Sequence, residues 1–158
     1  MNSHSGNGRT MSGRRRRSAG FTLLELVLVV SIIAVLAAIA LPQVSKHREK
    51  AIFAKAIADI AMIGSELQSY DPLPETLADI GRDTYLDPWG NPYQYVPIRG
   101  TGNAGYRKDR FLVPLNSDFD LYSMGPDGRS VAPLTAPQSL DDIVRANNGG
   151  FVGLATDY

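Results

Sequence analysis

The sequence predicts an α+β protein: one long N-terminal helix packed on a small antiparallel β-sheet, followed by a loop-rich tail. Three observations carry this expectation. Residues 21–41 form an apolar run of 21 residues with a single charge, Glu25, closed by Pro42. Beyond it Val44, Ile52, Ala56, Ile60, Ile63, Leu67 and Tyr70 recur three, four or eight apart, which is one face of an amphipathic helix. From residue 71 the helical period gives way to short alternating stretches separated by Gly, Pro, Asn and Asp, the pattern of strands and turns.

The first element is the N-terminal segment. Residues 1–13 are polar, rich in Gly, Ser and Asn, and without periodicity, a composition that favours disorder. Arg14, Arg15, Arg16 and Arg17 follow, and Met11 offers a second start ahead of them. The zero net charge of the chain hides an asymmetry. Residues 1–19 hold five arginines and no acid, giving +5, which leaves 11 Lys and Arg against 16 acids, or −5, for the rest. Arginines stay on the cytoplasmic side of a membrane, and the apolar run is long enough, at about 1.5 Å per residue, to cross a hydrocarbon core of about 30 Å. A carboxylate within such a span costs at least about 2.5 to 3.5 kcal/mol, so Glu25 calls for a partner. An ordinary secretory signal, cut at Ala38-Ile39-Ala40, fits the run less well, because the run exceeds the usual 7 to 15 residues and contains Glu25. A twin-arginine signal lacks the pattern that should follow Arg16-Arg17, and a plain single-pass anchor leaves Glu25 without a reason.

The second element is the helix itself, expected over residues 21–69 and bent or locally melted near Pro42, which has no N–H to give to the preceding turn. Lys46, Arg48, Glu49, Lys50, Lys55, Asp59 and Glu66 fall mainly off its apolar face. Asp71-Pro72-Leu73-Pro74 stops it. Residues 74–80 suit a short helix closed by Gly81. Asp87-Pro88-Trp89-Gly90-Asn91-Pro92 is a turn cluster, with Trp89 and the nearby tyrosines at a core edge. Strands are expected at residues 93–96, 110–115 and 118–123, a loop at 100–105, and a turn at 125–128. In the third strand Asp118 and Asp120 share one face, read as facing solvent. The tail is turn-rich, with a short helix expected over residues 140–146.

Gly20-Phe21-Thr22-Leu23-Leu24-Glu25 after an arginine run, ahead of an apolar helix broken by Pro42, closely resembles the prepilin signal of type IV pilins and type II secretion pseudopilins. The resemblance implies the type IV pilin fold and four segments: a cleaved leader at 1–20, a transmembrane and filament-core helix at 21–42, an amphipathic half at 43–70, and a β-rich head at 71–158. It implies cleavage after Gly20 by a dedicated prepilin peptidase and methylation of the new amine on Phe21. Glu25 and Pro42 fall at the family's places for the assembly glutamate and the helix-kinking proline. Leu86-Asp87-Pro88-Trp89-Gly90-Asn91-Pro92-Tyr93-Gln94-Tyr95 and Asp118-Phe119-Asp120-Leu121-Tyr122-Ser123-Met124-Gly125-Pro126-Asp127-Gly128 look like segments of the major, G-type pseudopilin. The tail from Ser130 departs from that pattern. The chain has no Cys, so it lacks the C-terminal disulfide of many type IV pilins, which favours the pseudopilin side.

In G-type pseudopilins the loop after this strand holds calcium. The resemblance places ligands at the Asp127 carboxylate and the Met124 carbonyl, with a second acid from Asp141 or Asp142. Ca²⁺ takes six to eight oxygens on an adaptable loop, and a Gly-bounded turn can offer carbonyls. The plainer alternative is a turn whose Asp caps its own backbone.

The residues point away from catalysis. There is no Cys nucleophile, His4 and His47 have no zinc spacing, and the Gly-rich stretch at 100–105 lacks the following Lys-Ser/Thr of a phosphate loop. The acidic body argues against a nucleic-acid groove unless Arg107, Lys108 and Arg110 are displayed as a basic patch. The sequence reading is therefore a structural homopolymer, anchored in the bacterial inner membrane with its N-terminus cytoplasmic and its head periplasmic. It would assemble into a type II secretion pseudopilus, or alternatively into a type IV surface fibre for adhesion, twitching or DNA uptake. The partners implied are the prepilin peptidase, a polytopic platform protein, a cytoplasmic assembly ATPase and minor pseudopilins.

Overall fold

A computed structural model describes residues 20–100 and 105–158. The readings of residues 1–19 (polar segment, arginine run, Met11, His4) and of the centre of the loop at 100–105 lie outside the described residues. A single helix, α1, runs Leu23–Leu67, with Pro42 inside it. By internal contacts the chain divides into two units, Met1–Gln43 and Val44–Tyr158, and α1 contributes to both. Local melting at Pro42 is not observed: one missing donor removes one hydrogen bond, and the turns on either side keep theirs.

In the Met1–Gln43 unit every Phe, Leu, Ile and Val among residues 21–41 is exposed. Among the described residues, α1 is the one helix long and apolar enough to cross a membrane.

In the Val44–Tyr158 unit, α1 lies on a sheet of four strands: β1 (Gln94–Pro97), β2 (Phe119–Ser123), β3 (Ile143–Ala146) and β4 (Phe151–Leu154). The strand order is sequential and every pair is antiparallel, with Tyr95 opposite Leu121, Tyr122 opposite Val144, and Val144 opposite Gly153. The α1-facing side of the sheet is apolar. Ala56, Ile60, Ile63 and Leu67 pack with Tyr93, Phe119, Leu121 and Ile143. The buried arc of α1 is shifted from the expected stripe. Phe53 and Ile57 join the core, while Val44, Ile52 and Tyr70 stay exposed. Trp89 lies at the core edge, its ring edge-on to Phe53 at 5.1 Å between centroids.

The opposite side of the sheet is covered too. Leu115, Leu134, Val144 and Ala155 form a second, smaller core with Tyr122 and Phe151 against it. This layer is built from turns without strand periodicity, and it accounts for three departures from expectation. Residues 110–115 are not a strand. Asp109 and Leu112 close a tight turn by exchanging backbone hydrogen bonds at 3.1 and 2.7 Å, with Arg110 at a left-handed φ of 45° and Phe111 fully exposed. Residues 140–146 are not a helix: Ile143, Val144 and Ala146 sit in β3, buried on both faces, and apolar runs of that kind carry no distinguishing period. Asp120 does not face solvent, because the turn layer covers its face of β2.

The short helix is a 3₁₀ turn, Leu77–Ile80, ended by left-handed Gly81 at φ 68°. At its start Asp79 accepts the Thr76 N–H at 2.8 Å.

Candidate functional site

The start of α1 is the first candidate site. Gly20, Phe21 and Thr22 are non-helical and exposed, so the Gly20–Phe21 peptide bond is presented just ahead of the helix. A Cβ on Gly20 would meet nothing within 4 Å, so nothing in this fold requires glycine there. Any requirement must come from a molecule that handles the segment. Thr22 and Glu25 form a capping box: the Glu25 N–H donates to Thr22 Oγ1 at 3.2 Å, and Glu25 Oε2 accepts the Thr22 N–H at 3.4 Å. The single carboxylate of the apolar run thus sits at the positive end of a helix dipole with local donors. The Thr22-Leu23-Leu24-Glu25 spacing carries this signal, and part of the partner that Glu25 calls for is its own helix start.

The second candidate is the turn after β2. Gly125 and Gly128 adopt left-handed φ of 64° and 65°. At Gly125 the conformation and the space both demand glycine, since a Cβ would collide with the Asp141 carbonyl. Asp127 Oδ1 accepts the Arg129 N–H at 2.7 Å, and the Asp127 N–H donates to Asp141 Oδ2 at 3.2 Å. Behind the turn, Ser123 Oγ donates to Asp87 Oδ2 at 2.5 Å, and Asn91 Nδ2 donates to the Gly125 carbonyl at 3.1 Å. The Asp87–Pro92 turn cluster and the Gly125–Gly128 turn are therefore knitted together.

Asp142 points elsewhere. Its Oδ2 accepts from Arg107 Nη2 and from Ser130 Oγ, both at 2.5 Å. Arg107 Nη1 also bonds Ser130 Oγ and donates to the Val131 carbonyl at 2.8 Å, and the Arg107 N–H donates to Asp120 Oδ2 at 2.6 Å. The guanidinium lies 4.3 Å from the Tyr122 ring centroid. Arg107 and Asp142 side chains are 3% and 0% exposed. Arg107, Lys108 and Arg110 therefore do not make a displayed basic patch, because Arg107 is an interior ion-pair partner. Burial pushes the Asp142 carboxyl up, against the pull of Ser130 and Arg107. Burial also pushes Asp120 up, against the Arg107 N–H and Asn116.

Two further carboxylates, one buried and one half-buried, have interior partners that the sequence reading did not anticipate. Asp59, expected off the apolar face, accepts from Tyr93 at 2.9 Å, Tyr85 at 3.0 Å and Lys55 at 2.6 Å. Burial opposes its ionisation, but these three donors together hold it below the ordinary carboxylate range. Asp118, expected at the surface, takes a bidentate pair from Arg145 at 2.9 and 2.6 Å. Burial again opposes ionisation, and Arg145 with the Phe119 N–H outweighs it.

The donor set can be tested against calcium. Among the described residues no three His, Asp or Glu side chains gather as a metal cage. Asp127 Oδ1 and Asp141 Oδ2 are used in closing the turn, and Asp142 is held by a guanidinium. Asp142 Oδ1 is a buried oxygen without a protein partner, but it is one ligand where Ca²⁺ takes six to eight. These three carboxylates as arranged do not make a cage that fits the ion.

A presented N-terminal helix start, an exposed apolar helix long enough for a membrane and a head with a four-stranded antiparallel sheet define a type IV pilin-like protein. The family model described as the prokaryotic N-terminal methylation motif matches residues 15–41. The type II secretion system core protein G of Pseudomonas aeruginosa is 33% identical over 141 residues, covering 73% of this chain and 89% of that protein. The core protein G of Dickeya chrysanthemi is 31% identical over 159 residues, covering 85% and 90%. That of Aeromonas hydrophila is 30% identical over 142 residues, covering 74% and 89%. No solved structure matches. The chain belongs to the family of type II secretion system core protein G, the major pseudopilin.

Proposed function

We propose that this chain is the repeating structural subunit of a type II secretion pseudopilus. The observation that carries the reading is the apolar stretch at 21–41, whose Phe, Leu, Ile and Val side chains are all exposed and which lies inside the methylation-motif match at 15–41. Before assembly that stretch lies in the inner membrane, with the N-terminus cytoplasmic and the head periplasmic. A prepilin peptidase cuts after Gly20, and Phe21 becomes the methylated N-terminus. During assembly the helices move from lipid into a core of identical helices, so apolar burial is kept while its partner changes. Glu25 meets the Phe21 amine of an adjacent copy there. Attraction in a low-dielectric core is large, but desolvation offsets much of it, so the pair sets register more than stability. A platform protein, a cytoplasmic ATPase and minor pseudopilins complete the machine, and the growing filament pushes folded substrates outward.

Deletion of the gene in its host tests this. Secretion of type II substrates should stop, a plasmid copy should restore it, and a Glu25→Ala copy should insert in the membrane yet restore it poorly. Undisturbed secretion together with lost surface fibres or twitching would assign the chain to a type IV pilus instead.

A further inference from the structure

The interior cation of the head is an arginine. We propose that the Arg107 guanidinium, in place of a metal ion, clasps the turn-rich tail to the sheet, so that the head folds independently of calcium. Arg107 reaches three stretches of chain distant in sequence. Its backbone N–H binds Asp120 in β2, its Nη1 binds Ser130 and the Val131 carbonyl, and its Nη2 binds Asp142 at the entry to β3. Its plane also covers the Tyr122 ring on the same side of the sheet. These are the connections a loop-bound cation would otherwise have to make between the end of β2, the turn layer and β3.

At Asp142 the two cations exclude one another on chemical grounds. Arginine does not release its proton at any physiological pH, so its charge is permanent. A second cation brought to Asp142 would share a pocket of low dielectric with it, where like charges repel strongly. The Asp142 side chain is wholly buried, so an ion could reach it only by displacing the guanidinium and breaking its bonds to Ser130 and Val131. Without Asp142, the turn offers Asp127 and Asp141, whose carboxylates already accept the Arg129 and Asp127 N–H groups. Those bonds close the turn without a metal. The segment the clasp secures needs it, because few large apolar residues lie between Arg129 and Leu140 to hold it by packing: Leu134 is buried, while Val131 is exposed. The proposal rests on the geometry of the head alone and is independent of the secretory role.

The test uses the full chain in detergent micelles, with melting followed by near-ultraviolet circular dichroism of Trp89 and the packed tyrosines. The melting midpoint should be the same within about 1 °C in chelator and in millimolar calcium, whereas an ion bound well above its Kd would raise it by several degrees. A midpoint that falls in chelator and recovers with calcium, but not magnesium, overturns the proposal. Arg107→Ala should lower the midpoint by roughly 10 °C in either condition. It should also expose the segment around Arg129 to trypsin. Arg107→Ala with Asp142→Ala should lose less than the two single changes added together, because the double change strands no buried charge. Arg107→Ala melting like the parent overturns the clasp. If Arg107→Ala does not fold, Arg107→Lys and Asp142→Asn replace it. Lysine keeps the charge but not the fork, so both should give intermediate losses, and no loss in either overturns the proposal. The calcium comparison on the unaltered chain needs no variant.

Discussion

The two units treat apolar and charged groups in opposite ways. Along residues 21–41 the apolar side chains face outward and the single charge is tied to the helix's own first turn. In the Val44–Tyr158 unit the apolar side chains face inward, and four aspartates are buried with them, each with donors of its own: Asp59, Asp87, Asp120 and Asp142, with Asp118 half-buried against Arg145. The head satisfies itself. Among the described residues nothing covers the N-terminal stretch, which suits contact with lipid or with other copies. Stability and assembly should therefore separate: substitutions in the head should change melting, and substitutions in residues 20–41 should change processing and assembly without changing melting.

The largest effect expected is at Gly20. Because the fold itself leaves space for a side chain there, Gly20→Glu should leave head melting untouched and still abolish processing, seen as precursor-sized protein on immunoblots. Loss of Arg107 comes next. Stranding Asp142 in the interior should cost about 3 to 5 kcal/mol in denaturant unfolding of the micellar protein. A matched pair of truncations sharpens the contrast further. Ile60→Ala opens a cavity between α1 and the sheet and should cost about 2 to 5 kcal/mol. Leu36→Ala, at an exposed position, should change unfolding by no more than about 0.5 kcal/mol. It should nonetheless reduce filament yield under the membrane-extracted conditions in which the parent assembles. Equal effects of the two on melting would dissolve the distinction between the units.

The smallest effect is on pH dependence, and it distinguishes the aspartates within the head. Asp59 and Asp118 are held below the ordinary value of 3.8, so the stability they contribute is complete above it and is lost as pH falls through their folded values. Asp120 and Asp142 lie above 3.8, so the folded head takes up their protons before the unfolded chain does. Between their folded values and 3.8, acidification acts through them to raise stability. The melting midpoint should therefore hold or rise slightly on approach to pH 4, by the linkage sign, and fall below it. Asp142→Asn should remove part of any rise.

Legibility followed periodicity. The apolar run, the amphipathic continuation at Ala56, Ile60, Ile63 and Leu67, and strands β1 and β2 were all visible, because each repeats at the period of its own element. The Gly125–Gly128 turn was visible from its glycines. The layer covering the back of the sheet was not, because it is built from turns such as Asp109–Leu112 and carries no period. Missing that cover is what made Asp120 look solvated, Arg107 look like part of a surface patch, and the segment before Ala146 look helical. Asp59 was misread for a related reason. A helix that packs against tyrosine hydroxyls can bury a carboxylate at a position where apolar spacing alone assigns solvent. The Glu25 capping box was legible in Thr22-Leu23-Leu24-Glu25, and the length of the apolar run drew attention away from it.

The central claim is that the exposed N-terminal stretch is processed and handed to other copies. Mass spectrometry of the N-terminal peptide from membrane-extracted protein tests that most directly. The mature chain should begin at Phe21 with a methylated amine. A mature chain beginning at Leu41, released from the membrane, would contradict it.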